Sequence, residues 1–350
     1  MDVSSTDPIT RGRALRDWLA DVLGHQPDLQ PCGGDAGGRR YFVVANDARW
    51  LAVNAPPQTE NTAQFLLVAK LLAAGGVRVP EVRFADAHNG FLLVENLGQN
   101  LLANAQTPEL QSLWYPRALS TLSRIAQRPT GQLPQFDTAF IRRELAIFRE
   151  WFVDKLLGVS IAGSALRSLD VLDTTLAECA LSQPRVFMHR DYHARNLILA
   201  GEDVAVIDFQ DAVAGPLVYD LVSLLKDCYL TLPPDQVRRW ALSYKAQAEA
   251  LELMAVTADD EFMRVFDWVG LQRHIKVLGI FARLYLRDDK PGYLADLPRV
   301  LHYVLDVLAR YPEFAEVHQR FERDLAPVYR EQPWYLGEVP TVKPTGEGQL

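Results

Sequence analysis

The chain has 350 residues, 49% of them hydrophobic and 23% charged, and a formal net charge of −8. A chain this long can bury a large core, and its length favours two or more lobes over one compact unit. The acidic balance argues against a nucleic-acid partner, because there is no basic excess to neutralise phosphates, but it leaves room for a nucleotide. Three widely spaced cysteines form no disulfide or metal-binding pattern, which favours a reducing compartment. With no signal peptide and no apolar run of ~18 residues, we expect a cytoplasmic protein without a membrane partner. We also expect a monomer.

The first 96 residues predict a small lobe that combines helices with an antiparallel sheet. Apolar residues at helical or alternating spacing, bounded by glycine and proline, mark its elements. Helices are predicted over residues 10–23 and 60–74, and strands over residues 41–45, 50–53, 77–84 and 91–95.

A glycine-rich turn precedes the first two of these strands. Glycine allows the backbone to close over phosphates and to point its N–H groups at them. We therefore assign Gly34, Gly37 and Gly38 to a phosphate-binding turn, the alternative being a hairpin turn without a ligand. One of the two arginines that follow, Arg39 and Arg40, would reach the same phosphates, and we choose Arg40. The alternative is that both arginines are solvated at the start of a strand.

Residues 97–340 predict a larger, mainly helical lobe, and residues 341–350 a frayed polar tail. The predicted fold class is therefore α+β with two lobes. Its helices are predicted over residues 110–126, 140–157, 165–181, 219–229, 233–250, 261–286 and 297–308.

The stretch from residue 186 to residue 220 carries the chemistry. It alternates short apolar strands with two polar loops, and the first loop reads H-R-D-Y-H-A-R-N. Phosphoryl transfer from a nucleotide needs a carboxylate that orients the attacking hydroxyl and takes its proton, and oxygen ligands for Mg²⁺. We assign Asp191 as the catalytic base, with Asn196 and Asp208 as metal ligands. Each residue alone is more often a turn or capping residue, but the combination at this spacing favours a phosphotransferase.

Four further polar residues accompany these loops. His189 is expected to brace the first loop, since no third ligand at zinc spacing accompanies it. His193 and Asp211 either contact the substrate or serve the scaffold. Asp220 begins a helix, where capping and bracing are its expected role.

These residues resemble the aminoglycoside phosphotransferase family within the protein-kinase-like fold. The family motif H-x-D-x-x-x-x-N stands at residues 189–196, followed by I-D-F at 207–209 and G-x-x-x-x-D-L at 215–221. The segments G-D-A-G-G-R-R-Y-F and L-Q-R-H-I-K-V-L-G are similar to one branch, the bacterial anomeric amino-sugar kinases. That resemblance implies ATP and Mg²⁺ as cofactors and phosphorylation of the C1 hydroxyl of N-acetylmuramate and N-acetylglucosamine, in peptidoglycan recycling.

The same resemblance implies residues for the nucleotide. Glu60 stands where such enzymes have a helix glutamate, and Glu95 and Leu97 fall at the hinge that follows the sheet. The lysine that usually partners the glutamate is missing, because Val53 or Asn54 occupies its place on the third strand.

The long helix over residues 261–286 is the expected substrate side. Arg273, His274 and Lys276 offer positive charge for the carboxylate of muramate, the alternative being a solvated helical face. A choline, homoserine or aminoglycoside kinase stays open, with Glu261, Asp267 and Trp268 as an acidic or aromatic box for a cationic substrate. From a different class, the chain could be a degenerate kinase fold that binds a nucleotide without turnover.

Overall fold

The computed structural model describes residues 7–34, 38–335 and 337, which form two compact units. The first unit contains the described residues up to Arg117 together with Arg195–Ala212, and the second contains Ala118–Ala194 and the described residues from Val213 onward. The predicted division between residues 96 and 97 differs, because residues 97–117 and 195–212 join the unit that holds the sheet. The predicted frayed tail, 341–350, lies outside the described residues.

Helices and strands alternate early in the chain, and the later part of the chain is mainly helical. The strands are β1 (Leu29–Gly34), β2 (Arg40–Val44), β3 (Trp50–Asn54), β4 (Val82–Asp86), β5 (Phe91–Glu95), β6 (Arg185–Met188), β7 (Leu197–Ala200), β8 (Asp203–Val206) and β9 (Val213–Pro216). The helices are α1 (Pro8–Leu23), α2 (Thr62–Ala73), α3 (Pro108–Ala126), α4 (Thr138–Ile147), α5 (Ser164–Leu181), α6 (Tyr219–Leu225), α7 (Pro234–Ala250), α8 (Asp259–Leu286), α9 (Leu297–Arg310), α10 (Ala315–Arg320) and α11 (Ala326–Tyr329). Short 3₁₀ turns cover Leu102–Asn104, Ala194–Asn196, Pro291–Asp296 and Pro312–Phe314, and π-helical segments cover Phe148–Leu156 and Phe321–Leu325.

A five-stranded antiparallel sheet forms the first unit, in the order β1-β2-β3-β5-β4. Helix α1 covers one face, where its Leu15 and Leu19 pack with Ala52 and Phe91 of the sheet. The side chain of Asp7 accepts the N–H of Thr10 at 2.8 Å and caps this helix. Because side chains alternate along a strand, the residues next to Ala52 point to the opposite face.

Strand β1 was not predicted from the sequence, where residues 29–34 read L-Q-P-C-G-G. Proline and glycine have low strand propensity, but β1 is an edge strand, where a missing N–H is tolerated. At the other edge the predicted strand over 77–84 is shorter: β4 begins at Val82, and before it Arg78 forms only an isolated bridge with Ala205. The predicted helix over 140–157 is α4 followed by a π-helical segment.

A second, two-stranded element completes the first unit. Strands β7 and β8 form an antiparallel hairpin. Asn196 precedes β7 and Asp208 follows β8, so both lie just beyond the open end of the hairpin. The hairpin is held by the bridges Arg78↔Ala205 and Leu101↔Ile198.

Helix α8 is the centre of the second unit. It contacts α4, α5, α6, α7 and α9 and is buried without interruption from Phe266 to Gly279. A helix buried on all sides must place any charged residue it carries against partners from neighbouring elements.

Strands β6 and β9 pair antiparallel in this unit. The predicted α+β class is confirmed, and no helix in the described part of the chain is long and apolar enough to cross a membrane.

Candidate active site

The first polar loop leaves β6 and is clamped by Asp220 at the start of α6. The backbone N–H of His189 donates to Asp220 Oδ2 at 2.6 Å, and that of Arg190 donates to Oδ1 at 2.9 Å. Asp220 is buried, and burial raises its pKa to about 6 although His189 and these two donors oppose that shift. His189 is also buried, with its ring 5.9 Å from that of Tyr192 and its Nδ1 3.3 Å from the N–H of Asp191.

Backbone strain coincides with the two polar loops. Only four non-glycine residues in the described ranges have a positive φ, and two of them are Arg190 (79°) and Asp208 (61°). Such conformations cost of order 1–3 kcal/mol each and persist where the surroundings fix them, frequently at functional sites. The clamp by Asp220 supplies that constraint for Arg190.

Asp191 presents a carboxylate that is 40% exposed beside a buried cation. The Nη2 atom of Arg273 lies 3.7 Å from Asp191 Oδ1. Burial by itself raises the pKa of this carboxyl, but the charges of Lys276, Arg273 and Arg190 outweigh it and hold the pKa below its usual range. Asp191 is therefore ionised at neutral pH and accessible to a ligand.

A buried ion network lies behind this carboxylate, and Glu144 of α4 is its anchor. Glu144 pairs with Arg190 at 2.9 Å and with Lys276 at 3.1 Å, and accepts a hydrogen bond from Gln272 at 3.1 Å. Burial by itself raises the pKa of Glu144, but the charges of Lys276 and Arg190 lower the pKa by more than that and keep the carboxylate ionised. Lys276 also donates to the hydroxyl of Tyr219 at 3.2 Å. No sequence pattern pointed to Glu144, which follows two arginines in α4 like a residue of a solvated helix.

The far end of the loop is held by Asp227, which sequence reasoning also missed. Its carboxylate accepts the N–H of Ala194 at 2.9 Å and that of Tyr229 at 2.7 Å. His193 lies between these residues, with its ring 5.2 Å from Tyr229 in an edge arrangement. Burial lowers the pKa of His193, so its imidazole is neutral at pH 7. These contacts fix the loop without using the Asp191 side chain.

The first unit brings the two predicted metal ligands together. Asn196 Nδ2 lies 3.5 Å from Asp208 Oδ2, and the N–H of Ile207 donates to the Asn196 carbonyl at 3.1 Å. Gln210 donates to Asp208 Oδ1 at 2.7 Å and orients that carboxylate. Next to Asp208, the buried ring of Phe209 packs on Phe65 of α2, with centroids 4.9 Å apart.

This pair of residues fits Mg²⁺ in its chemistry. Mg²⁺ is usually held by one or two carboxylates, and phosphate oxygens and water complete its octahedron. Asn196 and Asp208 supply one amide and one carboxylate oxygen donor of the required hard type. Over the described ranges there is no cluster of three or more histidine, cysteine, aspartate or glutamate side chains such as a zinc site needs.

Part of the predicted nucleotide side converges on Glu60, just before α2. Glu60 accepts the N–H of Gly38 at 2.8 Å and pairs with Arg39 at 2.7 Å. A Cβ atom on Gly38 would come within 2.6 Å of the Thr59 hydroxyl, so a side chain there would displace its neighbours. Arg40 is exposed in β2, and the structure does not bring it to Glu60.

The other predicted nucleotide residues are placed separately. Gly34 is the last residue of β1, and Gly37 lies outside the described residues. Glu95 ends β5 and pairs with Arg78, which lowers the pKa of Glu95 despite partial burial. Leu97 follows two residues later and is half-buried.

The three basic residues that were predicted to face the substrate, Arg273, His274 and Lys276, are buried, so the alternative of a solvated helical face is wrong for them. Arg273 donates to Ser223 as well as facing Asp191, and Lys276 belongs to the ion network. His274 lies elsewhere: its ring stacks on Tyr303 with centroids 4.8 Å apart, and its Nε2 lies 2.9 Å from the Lys226 carbonyl. Burial lowers the pKa of His274 to about 3, so it carries no charge at neutral pH.

Of the remaining candidates, Asp211 is exposed on the loop after Gln210. The residues proposed for an acidic or aromatic box are already engaged. Asp267 is buried and binds Lys226 and Arg310, both at 2.8 Å. Trp268 has the guanidinium of Arg264 over its ring, 4.2 Å from the centroid.

Comparisons with known proteins show the family to which the chain belongs. The model of the phosphotransferase enzyme family (APH) matches residues 28–266. The N-acetylmuramate/N-acetylglucosamine kinase of Pseudomonas aeruginosa is 39% identical over 304 residues, which cover 86% of this chain and 90% of the relative. The enzyme of the same name from Neisseria meningitidis serogroup B is 37% identical, with 87% and 93% covered.

Solved structures at low sequence identity share the fold. The gentamicin complex of the aminoglycoside phosphotransferase APH(2″)-IIa matches with a TM-score of 0.59 at 10% identity, covering 89% of this chain and 98% of that one. The choline kinase LicA from Streptococcus pneumoniae matches with a TM-score of 0.59 at 12% identity, covering 85% and 99%. The predicted protein-kinase-like fold is confirmed, and the chain belongs to the phosphotransferase enzyme family.

Proposed function

We propose that the protein transfers the γ-phosphoryl group of ATP to the anomeric C1 hydroxyl of N-acetylmuramate and N-acetylglucosamine, in the recycling of cell-wall sugars. The observation that carries the proposal is Asp191, an ionised and accessible carboxylate on a rigid loop, five residues before the metal ligand Asn196. The sugar is proposed from the relatives from Pseudomonas and Neisseria, which carry that substrate in their names. A cytoplasmic, monomeric state stays a prediction.

Asp191 serves the reaction mainly by orientation. It accepts a hydrogen bond from the C1 hydroxyl, which attacks the γ-phosphorus as the bond to the β-phosphate oxygen breaks and ADP leaves. The proton passes to Asp191 and then to solvent. Because the pKa of Asp191 is held low, the carboxylate is a weak base, which suits a loose transition state in which the hydroxyl keeps its proton until late.

The remaining residues position and neutralise. Asp220 and Asp227 hold the two ends of the loop through its backbone N–H groups, so that Asp191 is pre-oriented before the substrate binds. Asn196 and Asp208 would hold Mg²⁺, which supplies positive charge to the triphosphate. In this proposal His193 and Asp211 stay candidates for contacts with the sugar, and Glu95 and Leu97 for contacts with the nucleotide.

The charges around Asp191 do not by themselves select the acceptor. Three cations, Arg190, Arg273 and Lys276, accompany Glu144 and Asp191, and the carboxylates of Asp220 and Asp227 hold the ends of the same loop. Three positive groups thus stand against four carboxylates, so the choice between muramate, choline, homoserine and an aminoglycoside is left to the acceptor panel below.

An acceptor panel tests the substrate. Purified protein is incubated with Mg-ATP and, separately, N-acetylmuramate, N-acetylglucosamine, choline, homoserine and an aminoglycoside, and the products are identified by phosphorus NMR. We expect a sugar 1-phosphate from the first two compounds. The 1-O-methyl derivative of N-acetylglucosamine has no free anomeric hydroxyl, and its phosphorylation would contradict the proposed regiochemistry.

The variant Asp191→Asn tests the mechanism. We expect kcat to fall by about 10² to 10⁴, the range for loss of an acid–base group, with both KM values nearly unchanged because Asp220 and Asp227 still hold the loop. Asp170→Asn is the matched control, since Asp170 is a 60% exposed carboxylate that pairs with Arg149 in the same unit. Wild-type kcat in Asp191→Asn would remove the proposed role, and no transfer by the wild type to any acceptor would favour a degenerate nucleotide-binding fold.

A further inference from the structure

Strand β3 carries no cation at its C-terminal end, where Val53 and Asn54 stand. Asn54 is buried on the face covered by α1, where its Oδ1 accepts a hydrogen bond from Arg11 at 2.8 Å. Val53 points to the opposite face and is apolar. The phosphate-binding cation of the nucleotide site must therefore come from another element.

The neighbouring strand supplies one on the same face as Val53. In the register of the sheet, Tyr41 of β2 faces Val53, and Arg39 precedes Tyr41 by two residues, so that both point to one side. The guanidinium of Arg39 is only 5% exposed and reaches Glu60 at 2.7 Å. Arg40, displaced by a single residue, points to the α1 side and is exposed.

An aromatic pair connects Arg39 to the metal-binding end of the unit. The Cζ atom of Arg39 lies 5.9 Å from the ring centroid of Phe65, and Phe65 packs on Phe209 at 4.9 Å. Phe209 directly follows Asp208, the proposed Mg²⁺ ligand. Arg39 thus contacts one ring of this pair, and Asp208 is the sequence neighbour of the other.

We propose that Arg39, held by Glu60, is the residue that binds the phosphates of the nucleotide, a role for which the sequence alone favoured Arg40. A guanidinium has five N–H donors in a planar fork and can serve a carboxylate and a phosphate at once. Glu60 also accepts the N–H of Gly38, so one carboxylate fixes both the cation and the glycine turn. The ligand class is a nucleoside di- or triphosphate, and the inference rests on the proposed use of ATP.

Nucleotide binding in the absence of any sugar tests this assignment. Titration calorimetry, or competition against a fluorescent nucleotide, gives the affinities of wild type and variants for ATP, ADP and adenosine. For Arg39→Gln we expect the ATP and ADP affinities to fall at least about tenfold, the lower end for a lost charge-assisted hydrogen bond. The adenosine affinity should stay within about twofold, because adenosine has no phosphate for Arg39 to bind.

Two further variants complete the test. Arg49→Gln removes an arginine that is 80% exposed and pairs with Asp47 in the turn between β2 and β3, and it should leave all three affinities unchanged. Glu60→Gln keeps Arg39 but removes its anchor, and should weaken ATP relative to adenosine by a smaller factor than Arg39→Gln. It also serves as the second probe if Arg39→Gln does not fold, which thermal melting will show.

Three results would overturn the inference. If ATP and adenosine lose affinity by the same factor, the pair is only a structural tie. If both variants keep the wild-type affinity for ATP, Arg39 does not belong to the site. If only Arg40→Gln loses ATP affinity, the role returns to Arg40. Because no sugar is present, a protein that binds ATP through Arg39 but phosphorylates no sugar overturns only the proposed substrate. A wild type that binds no ATP overturns both proposals.

Discussion

Glu144 offers the sharpest test of the ion network behind Asp191. The variant Glu144→Gln keeps the size of the side chain but removes a charge that is 5% exposed and pairs with Arg190 at 2.9 Å and Lys276 at 3.1 Å. Two buried cations would then lose their nearest carboxylate, and Gln272 would keep only a neutral acceptor. Removing one partner of a buried pair typically costs 3–5 kcal/mol, since the remaining charge stays desolvated, so we expect a loss of about 3–5 kcal/mol in the free energy of unfolding.

An exposed pair nearby provides the control. Glu150 pairs with Lys155, and the two side chains are 54% and 40% exposed. Solvent-exposed pairs contribute about 0–1 kcal/mol, so Glu150→Gln should change the free energy of unfolding by less than ~1 kcal/mol. Both substitutions replace a glutamate by glutamine in the same unit, and they differ mainly in burial.

Urea unfolding at neutral pH, followed by far-ultraviolet circular dichroism, measures the difference. Glu144→Gln should lower the midpoint at an unchanged slope, because the folded surface is the same. The reasoning would be refuted if the two glutamine variants lost the same stability within ~1 kcal/mol. That result would mean that Arg190 and Lys276 find other partners or water once Glu144 is neutral.

Two further predictions concern Asp191 and the packing of α8. Replacing Arg273 by Gln removes a cation that lies 3.7 Å from Asp191. The Coulomb energy of this pair is ~1–4 kcal/mol, depending on whether the dielectric constant of water or an effective value for protein applies. Because Asp191 is 40% exposed, we take the lower end and expect the pKa of Asp191 to rise by about one unit. The pKa of the Asp191 carboxyl, followed by carbon-13 NMR as the pH is lowered, should move up by about one unit, and an identical titration in both proteins would contradict the role of Arg273. In α8, a Cβ on Gly279 would lie 2.5 Å from the backbone nitrogen of Phe148, so Gly279→Ala should destabilise by about 1–3 kcal/mol in urea unfolding. Gly12 in α1 has nothing within 4 Å, and Gly12→Ala should stabilise by about 0.5–1 kcal/mol instead; the same sign in both variants would count against the packing argument.

The loop around Asp191 could be predicted because its information is local. Asp191 and Asn196 are five residues apart, and short apolar strands bound the loop on both sides. Helix starts are also local features: Asp7 and Asn61 cap α1 and α2 through N–H groups three residues later. Such features can be recognised from a few neighbouring residues, whereas the contacts of Asp220 and Asp227 that hold the loop cannot.

The tertiary structure decided which charged residues take part. Arg273 and Lys276 look like residues of a solvated helix, but α8 is surrounded by other helices, and α4 brings Glu144 to Lys276 from about 130 positions earlier in the chain. Arg39 and Arg40 are adjacent and chemically identical, and the pairing register of β2 with β3 alone determines which of them reaches Glu60. The sequence by itself thus determined the class of reaction and the loop that we propose as catalytic. The surroundings of that loop depend on pairings between distant segments, which no local pattern encodes.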